Sequence, residues 1–160
     1  MIALASTLTS PMVRKLGLVA SLLILLGSFG GGSLQKRNSL LSAANLDFLS
    51  FGHGAAFSNV TLWLGTVLFV VAWVLMGKLV IDKVVDADYV RRTLCMWLVP
   101  LAGAAPIMSR DVYSYLMQGT LLRDGLNAYT QGPASNPNQI LFEVSHDWRN
   151  TTTPYGPLHL

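Results

Sequence analysis

Charged residues are scarce in this chain of 160 residues. Only 12% are Asp, Glu, Lys or Arg, against roughly 25% in an average soluble domain, and 52% are hydrophobic. So few charges exclude an ordinary soluble domain and indicate a membrane protein. A net charge of +3, spread over scattered basic residues, is also too small to indicate a nucleic-acid partner.

Cysteine is nearly absent, and Cys95 is the single cysteine in the sequence. An internal disulfide is therefore impossible, and the apolar surroundings of Cys95 predict a small buried side chain. The sequence also lacks zinc-ligand spacing, a phosphate-binding glycine loop and a nucleophile elbow. We therefore expect neither a bound metal nor a cofactor.

Long apolar runs are what the sequence has instead, and they predict three transmembrane helices at about residues 13–32, 57–81 and 93–108. Arg14 and Lys15 at the start of the first run predict a cytoplasmic N-terminus by the positive-inside rule. A cleaved signal peptide is the alternative explanation of that run, and it puts the next loop on the same side. In the second run, Trp73 is expected to pack between helices.

The third predicted span is shorter than the other two and contains Pro100 and Pro106. The charged segment before it, residues 82–92, carries Lys83, Arg91 and Arg92 and is expected in the cytosol. The third span then leads outward. We therefore predict a multi-pass plasma-membrane protein whose residues 109–160 are extracytoplasmic.

Residues 109–124 predict an amphipathic helix on the outer face, with Ser109 as its cap and Gly125 just past its end. On this helix Asp111, Ser114 and Gln118 share one side, since they are spaced at i, i+3 and i+7. An aspartate in the first turn is a common stabilising feature, so position alone does not make Asp111 catalytic.

The region beyond this helix consists of turns followed by a few polar and aromatic residues. His146 and Asp147 are adjacent, but two ligands do not make a metal site. Arg110 and Arg123 are the local cations. A lipid headgroup, or for Arg123 a surface pair with Asp124, explains them as well as a substrate does.

One set of residues follows a recognisable order along the chain: Asp111, Tyr113, Tyr115, Gly119, the run GLNAY at 125–129, Gly132, Pro133, Trp148 and the run TPYGPL at 153–158. This set resembles the first catalytic loop of the GT-C glycosyltransferases. More narrowly, it resembles that of the actinobacterial polyprenol-phosphate-mannose-dependent α-1,6-mannosyltransferases, which build lipomannan and lipoarabinomannan. The resemblance covers residues 109–158, about a third of the chain.

The resemblance implies an all-α membrane protein with a GT-C-like N-terminal part: three transmembrane helices, then an outer-face amphipathic helix and loop. It implies inverting transfer of mannose from a polyprenyl-phosphate-linked donor to a lipid-anchored glycan, with Asp111 as general base. Such enzymes have about a dozen membrane helices, so the chain is expected to be an N-terminal fragment that is inactive alone. The implied substrate-binding residues are Arg110, Tyr113, Tyr115, Gln118, Arg123, Asn127, Tyr129, His146, Trp148 and Tyr155.

Two other classes of protein remain open at this stage. A small membrane scaffold or assembly subunit predicts that Asp111 is exposed or paired with Arg110. A transporter fragment predicts polar residues within the spans and an inverted repeat, and the sequence shows almost none of the former. The enzyme hypothesis predicts instead that Asp111 faces a groove together with Trp148 or Tyr155.

Overall fold

A computed structural model of the protein describes residues 9–34 and 39–156. Every regular element in these ranges is a helix, which confirms the all-α membrane class that the resemblance implies. The chain divides between Ile107 and Met108 into two compact units. Most of the N-terminal leader, and Pro157 and Leu158 of the TPYGPL run, lie outside the described residues.

The first unit contains two helices that are long and apolar enough to cross a membrane. At 1.5 Å per residue, their 22 and 30 residues correspond to roughly 33 and 45 Å, against a hydrocarbon core of about 30 Å. The helices of this unit are α1 (Ser10–Gly31), the short α2 (Ser39–Ala43), α3 (Gly52–Ile81) and α4 (Ala87–Ala102), with a 3-10 turn at Asp47–Ser50.

Helix α4 begins and ends about six residues earlier than the third predicted span, residues 93–108. It begins within the expected charged turn, because the Asp86 carboxylate accepts a hydrogen bond from the Tyr89 amide at 2.7 Å and caps the helix. It ends at Ala102, followed by Gly103 and then Pro106, which disfavours helix at the residue before it. The resulting 16 residues make a helix of roughly 24 Å.

Close packing of α1 against α3 depends on small residues at their contact. A β-carbon on Gly65 would lie only 2.8 Å from the Ile24 amide nitrogen, and one on Gly27 would overlap the backbone of Leu62. Glycine at both positions therefore lets the two backbones approach, as is common between membrane helices. Helix α1 also contacts α4, where the buried Trp97 indole donates to the Arg14 carbonyl at 2.9 Å.

Two side chains expected inside this unit lie on its surface. Trp73 is 65% exposed and Cys95 is also exposed, so the predictions that they pack in the interior are wrong. For Trp73 the reason is that apolar residues surround α3 on all sides, so its sequence does not reveal which face α1 covers. Periodicity fails as a guide when there is no polar face.

The second unit is built around α5 (Asp111–Arg123). The N-cap of α5 is Arg110, so the prediction that Ser109 caps the helix is wrong by one residue. The Ser109 hydroxyl still accepts a hydrogen bond from the Asp111 amide at 3.0 Å, which satisfies one of the free donors at the helix start. Gly125 ends the helix with φ of +79°, and the Leu126 amide returns to the Leu121 carbonyl at 2.8 Å in a Schellman motif. Three 3-10 turns follow, Pro133–Ser135, Gln139–Phe142 and His146–Trp148.

The core of the second unit forms between one face of α5 and the loop that follows it. Tyr113 and Met117 of the helix pack against Val144 of the loop, and all three are buried. This contact leaves a different face of α5, the one carrying Asp111, for the segment at residues 148–155.

Candidate functional site

A pocket in the second unit lies between α5 and the segment of residues 148–155. It is a small cleft that is open to solvent. Its lining residues are Asp111, Ser114, Tyr115, Gln118, Trp148, Thr151, Thr152, Pro154 and Tyr155.

The helix wall of the pocket carries the three polar residues that the helical spacing predicted on one side. Asp111 is half-buried, while Ser114 and Gln118 are each only 5% exposed. The Ser114 hydroxyl and the Gln118 Oε1 have no hydrogen-bond partner among the described residues. The Asp111 carboxylate likewise forms no ion pair or hydrogen bond within the described ranges, because Arg110 binds elsewhere.

The opposite wall is fixed by backbone hydrogen bonds to the loop that follows α5. The Thr153 amide donates to the Ala128 carbonyl at 2.9 Å, and the Ala134 amide donates to the Arg149 carbonyl at 2.7 Å. These two bonds set the course of the chain on both sides of Thr151 and Thr152. Both threonines consequently face the pocket.

A tyrosine pair joins the two walls. The hydroxyls of Tyr115 and Tyr155 lie 3.3 Å apart, and their rings meet edge to face with centroids 5.8 Å apart. The hydrogen bond to Tyr155 is the largest cause of a raised pKa of Tyr115, followed by burial and by the charges of Tyr155 and Asp111. Tyr115 is therefore neutral at ordinary pH, and its hydroxyl can donate or accept a hydrogen bond.

Arg110 and Tyr113 do not line the pocket. Arg110 forms an ion pair with the Glu143 carboxylate, donates to the Glu143 carbonyl at 2.9 Å, and lies 5.6 Å from the centre of the Tyr113 ring. Tyr113 itself is 5% exposed in the core. Through these contacts Arg110 and Tyr113 connect the start of α5 to the loop that contains Glu143 and Val144.

Arg123 lies at the other end of α5 and pairs with the adjacent Asp124 at 2.9 Å. The hydrogen bond from Arg123, and a second one from Asn136, lower the pKa of Asp124, and the same contact raises the pKa of Arg123. These contacts support the explanation of Arg123 as one member of a surface pair with Asp124.

The remaining predicted residues also lie away from the pocket lining. The Asn127 side chain accepts a hydrogen bond from the Tyr129 amide at 2.9 Å, which shapes the turn after α5, and Tyr129 is exposed. His146 and the neighbouring Asp147 are exposed, and no group of three potential metal ligands occurs in the described part of the chain.

The pocket therefore brings together Asp111 with four of the predicted binding residues: Tyr115, Gln118, Trp148 and Tyr155. It also contains residues that were not among the predicted binding set. Ser114 was detectable from its helical spacing. Pro154 belongs to the TPYGPL run that carried the resemblance. Thr151 and Thr152 carried no signal, because their position follows from hydrogen bonds between segments distant in sequence.

Comparison with known proteins identifies similar sequences but no similar solved structure. An alpha-(1->6)-mannopyranosyltransferase A from Corynebacterium glutamicum is 56% identical over 146 residues, which cover 86% of this chain and 30% of that protein. The alpha-(1->6)-mannopyranosyltransferase A of Mycobacterium tuberculosis is 43% identical over 143 residues, 89% of this chain and 28% of that protein. No solved structure matches significantly.

The chain thus spans somewhat less than a third of the length of these relatives. The sequence profile of one family, described as the N-terminal domain of alpha-(1->6)-mannopyranosyltransferases, matches residues 14–160 and so covers both compact units. With this match over nearly the whole chain, the protein belongs to the alpha-(1->6)-mannopyranosyltransferase family and represents its N-terminal domain.

Proposed function

We propose that this chain is part of an inverting glycosyltransferase that transfers a mannosyl residue from polyprenyl-phosphate mannose to a lipomannan- or lipoarabinomannan-type glycan on the outer membrane face. Asp111 is the general base. The observation that carries the proposal is a half-buried carboxylate that has no ion pair among the described residues and lines an open pocket with Trp148 and Tyr155. The scaffold alternative required an Asp111–Arg110 pair or an exposed carboxylate.

The chemistry requires one carboxylate rather than two. A hydroxyl oxygen of the acceptor forms a bond to the anomeric carbon of mannose as the bond from that carbon to the phosphate oxygen breaks. The hydroxyl proton passes to the Asp111 carboxylate, and attack from the face opposite the phosphate inverts the configuration. Polyprenyl phosphate leaves as a stable anion, so no general acid is needed, in contrast to the two carboxyl groups of a glycosidase.

The membrane character of the first unit fits a lipid-borne donor and a lipid-anchored acceptor. The apolar helices α1 and α3 are suited to the bilayer, where the polyprenyl chain resides. Membrane lipids are accordingly the surroundings of both substrates. The proposed reaction uses neither a metal ion nor an organic cofactor.

The proposal is tested by replacing Asp111→Asn in the product of the gene that carries this chain, assayed in membranes with polyprenyl-phosphate mannose and a mannoside acceptor. Loss of a positioned base typically costs about 10² to 10⁴-fold, so mannosyl transfer should fall by that factor. Asp147→Asn is the matched control, because Asp147 is exposed and lies outside the pocket lining. Full activity of the Asp111→Asn protein would remove this carboxylate from the mechanism.

A further inference from the structure

Two buried polar atoms in the pocket have no hydrogen-bond partner among the described residues. They are the Ser114 hydroxyl and the Gln118 Oε1, on side chains that are 95% buried. Folded proteins rarely leave such atoms unpaired, and exceptions concentrate where a ligand or a catalytic step uses them. Both residues lie on the face of α5 that carries Asp111, one and two turns further along the helix.

The chemistry of the lining selects a neutral, hydroxyl-rich ligand. Asp111 is the one charged group among the lining residues that the structure describes, so those residues would repel a phosphate rather than bind it. The Gln118 Oε1 requires a hydrogen-bond donor, and the Ser114 hydroxyl donates or accepts. Trp148 and Tyr155 supply aromatic surface on the other wall, against which a sugar ring packs.

We infer that this pocket is the binding site for the acceptor sugar, and that Ser114 and Gln118 determine its specificity by hydrogen bonding the sugar's hydroxyl groups. The inference rests on the proposed function, since it places the acceptor against Asp111. The donor phosphate is then held by groups outside this lining. Ser114 and Gln118 bind and position the acceptor and take no proton from it.

The test uses Ser114→Ala and Gln118→Met in the full gene product, with an octyl α-1,6-mannobioside as acceptor and polyprenyl-phosphate mannose as donor. Methionine keeps the length of glutamine and removes the acceptor atom. Loss of one hydrogen bond should raise the KM for the acceptor about threefold to tenfold in each variant. The KM for the donor should stay unchanged. Ser135→Ala and Gln139→Met, at exposed positions outside the pocket lining, are the matched controls.

Thermal stability separates a binding role from a structural one. An apolar group in place of a buried polar atom without a partner removes an uncompensated desolvation cost, so the melting temperature should stay unchanged or rise. Such a gain in stability is common when a residue kept for function is replaced. The mannobioside alone should raise the melting temperature of the wild-type and Asp111→Asn proteins, and should do so less for Gln118→Met. A lowered melting temperature for both variants without ligand would mark Ser114 and Gln118 as structural and overturn the inference.

The outcomes distinguish this inference from the proposed function. If Asp111→Asn abolishes transfer while Gln118→Met and Ser114→Ala keep the wild-type acceptor KM, the proposed function stands and the acceptor site is wrong. If Gln118→Met raises the donor KM instead, the pocket binds the donor sugar and the inference also fails. If the mannobioside stabilises the protein through Gln118 but Asp111→Asn remains active, the acceptor site stands and the role of Asp111 fails.

Discussion

Arg110 and Asp111 are neighbours of opposite charge with different surroundings. The Arg110 guanidinium is bound to Glu143, and the Asp111 carboxylate faces the pocket. The Glu143 side chain is 17% exposed, so the pair is much better shielded from water than the surface pair of Asp88 with Arg91. The Arg110–Glu143 pair should therefore contribute more to stability than the surface pair does.

Glu143→Gln tests this difference at the level of one side chain. It removes the charge that Arg110 neutralises and leaves a partly buried guanidinium without its carboxylate. We expect the free energy of unfolding to fall by about 1–3 kcal/mol. Asp88→Asn, at a pair whose side chains are both more than half exposed, should change it by less than about 1 kcal/mol. Thermal or denaturant unfolding in detergent measures both free energies. Equal effects would contradict the expectation that the shielded Arg110–Glu143 pair stabilises the protein more than the surface pair does.

The pair at the end of α5 predicts a pH dependence. Hydrogen bonds from Arg123 and Asn136 lower the pKa of Asp124. Its ionised form therefore stabilises the folded state above the ordinary carboxyl pKa of about 4, and this contribution is lost as pH falls through the lowered value. Wild-type protein should melt above Asp124→Asn at neutral pH, and the difference should vanish in acid. A difference that persists at the lowest pH would exclude ionisation of Asp124 as its cause.

At the scale of elements, α5 was the most predictable part of the chain. Gly125 marked its end, because a glycine after a helix has a local physical cause, and the start was predicted to within one residue of the N-cap Arg110. The bounds of α4 were missed, since Asp86 was interpreted as part of a charged turn and not as a cap. The Thr151–Thr152 wall was also missed, because it depends on the long-range hydrogen bond from Thr153 to Ala128.

Two glycines of this region give opposite predictions for the same substitution. Gly125 has φ of +79°, which alanine adopts only with strain, so Gly125→Ala should cost about 1–2 kcal/mol. Gly119 lies within α5, where an added methyl group would meet no other atom within 4 Å. Gly119→Ala should stabilise the helix by about 0.5–1 kcal/mol. Melting temperatures of the two variants should move in opposite directions, and a shift in one direction for both would contradict the turn geometry.

For the whole molecule, the charge distribution predicts on which side of the membrane two segments lie, the one before α4 and residues 109–160. Lys83, Arg91 and Arg92 favour the cytosol for the segment before α4, and residues 109–160 are then expected outside. In a Cys95→Ser background, a cysteine at exposed Ser135 should react with an impermeant maleimide added to intact cells. A cysteine at Lys83 should react only after permeabilisation. The reverse pattern would refute the proposed orientation.

Composition was enough to predict the membrane class, because scarcity of charge is a property of the whole chain. It was not enough to predict which faces of the membrane helices are covered, as Trp73 shows. Where apolar residues surround a helix, neighbours decide which of them are buried. The second unit carried more positional information, since Asp111, Ser114 and Gln118 share one side of α5 and all three line the pocket.

The two walls of the pocket come from separate stretches of chain, α5 and residues 148–155, and the core residues Tyr113, Met117 and Val144 are not among the lining residues. The wall at residues 148–155 can therefore be exchanged while α5 is kept, provided that Arg149 retains its hydrogen bond to the Val144 carbonyl. A chimaera that receives residues 148–155 from a divergent homologue keeps the helix wall with the Asp111 carboxylate. Its opposite wall then presents different aromatic and hydroxyl side chains. On the proposed function, such an exchange should alter acceptor preference while Asp111 stays in place.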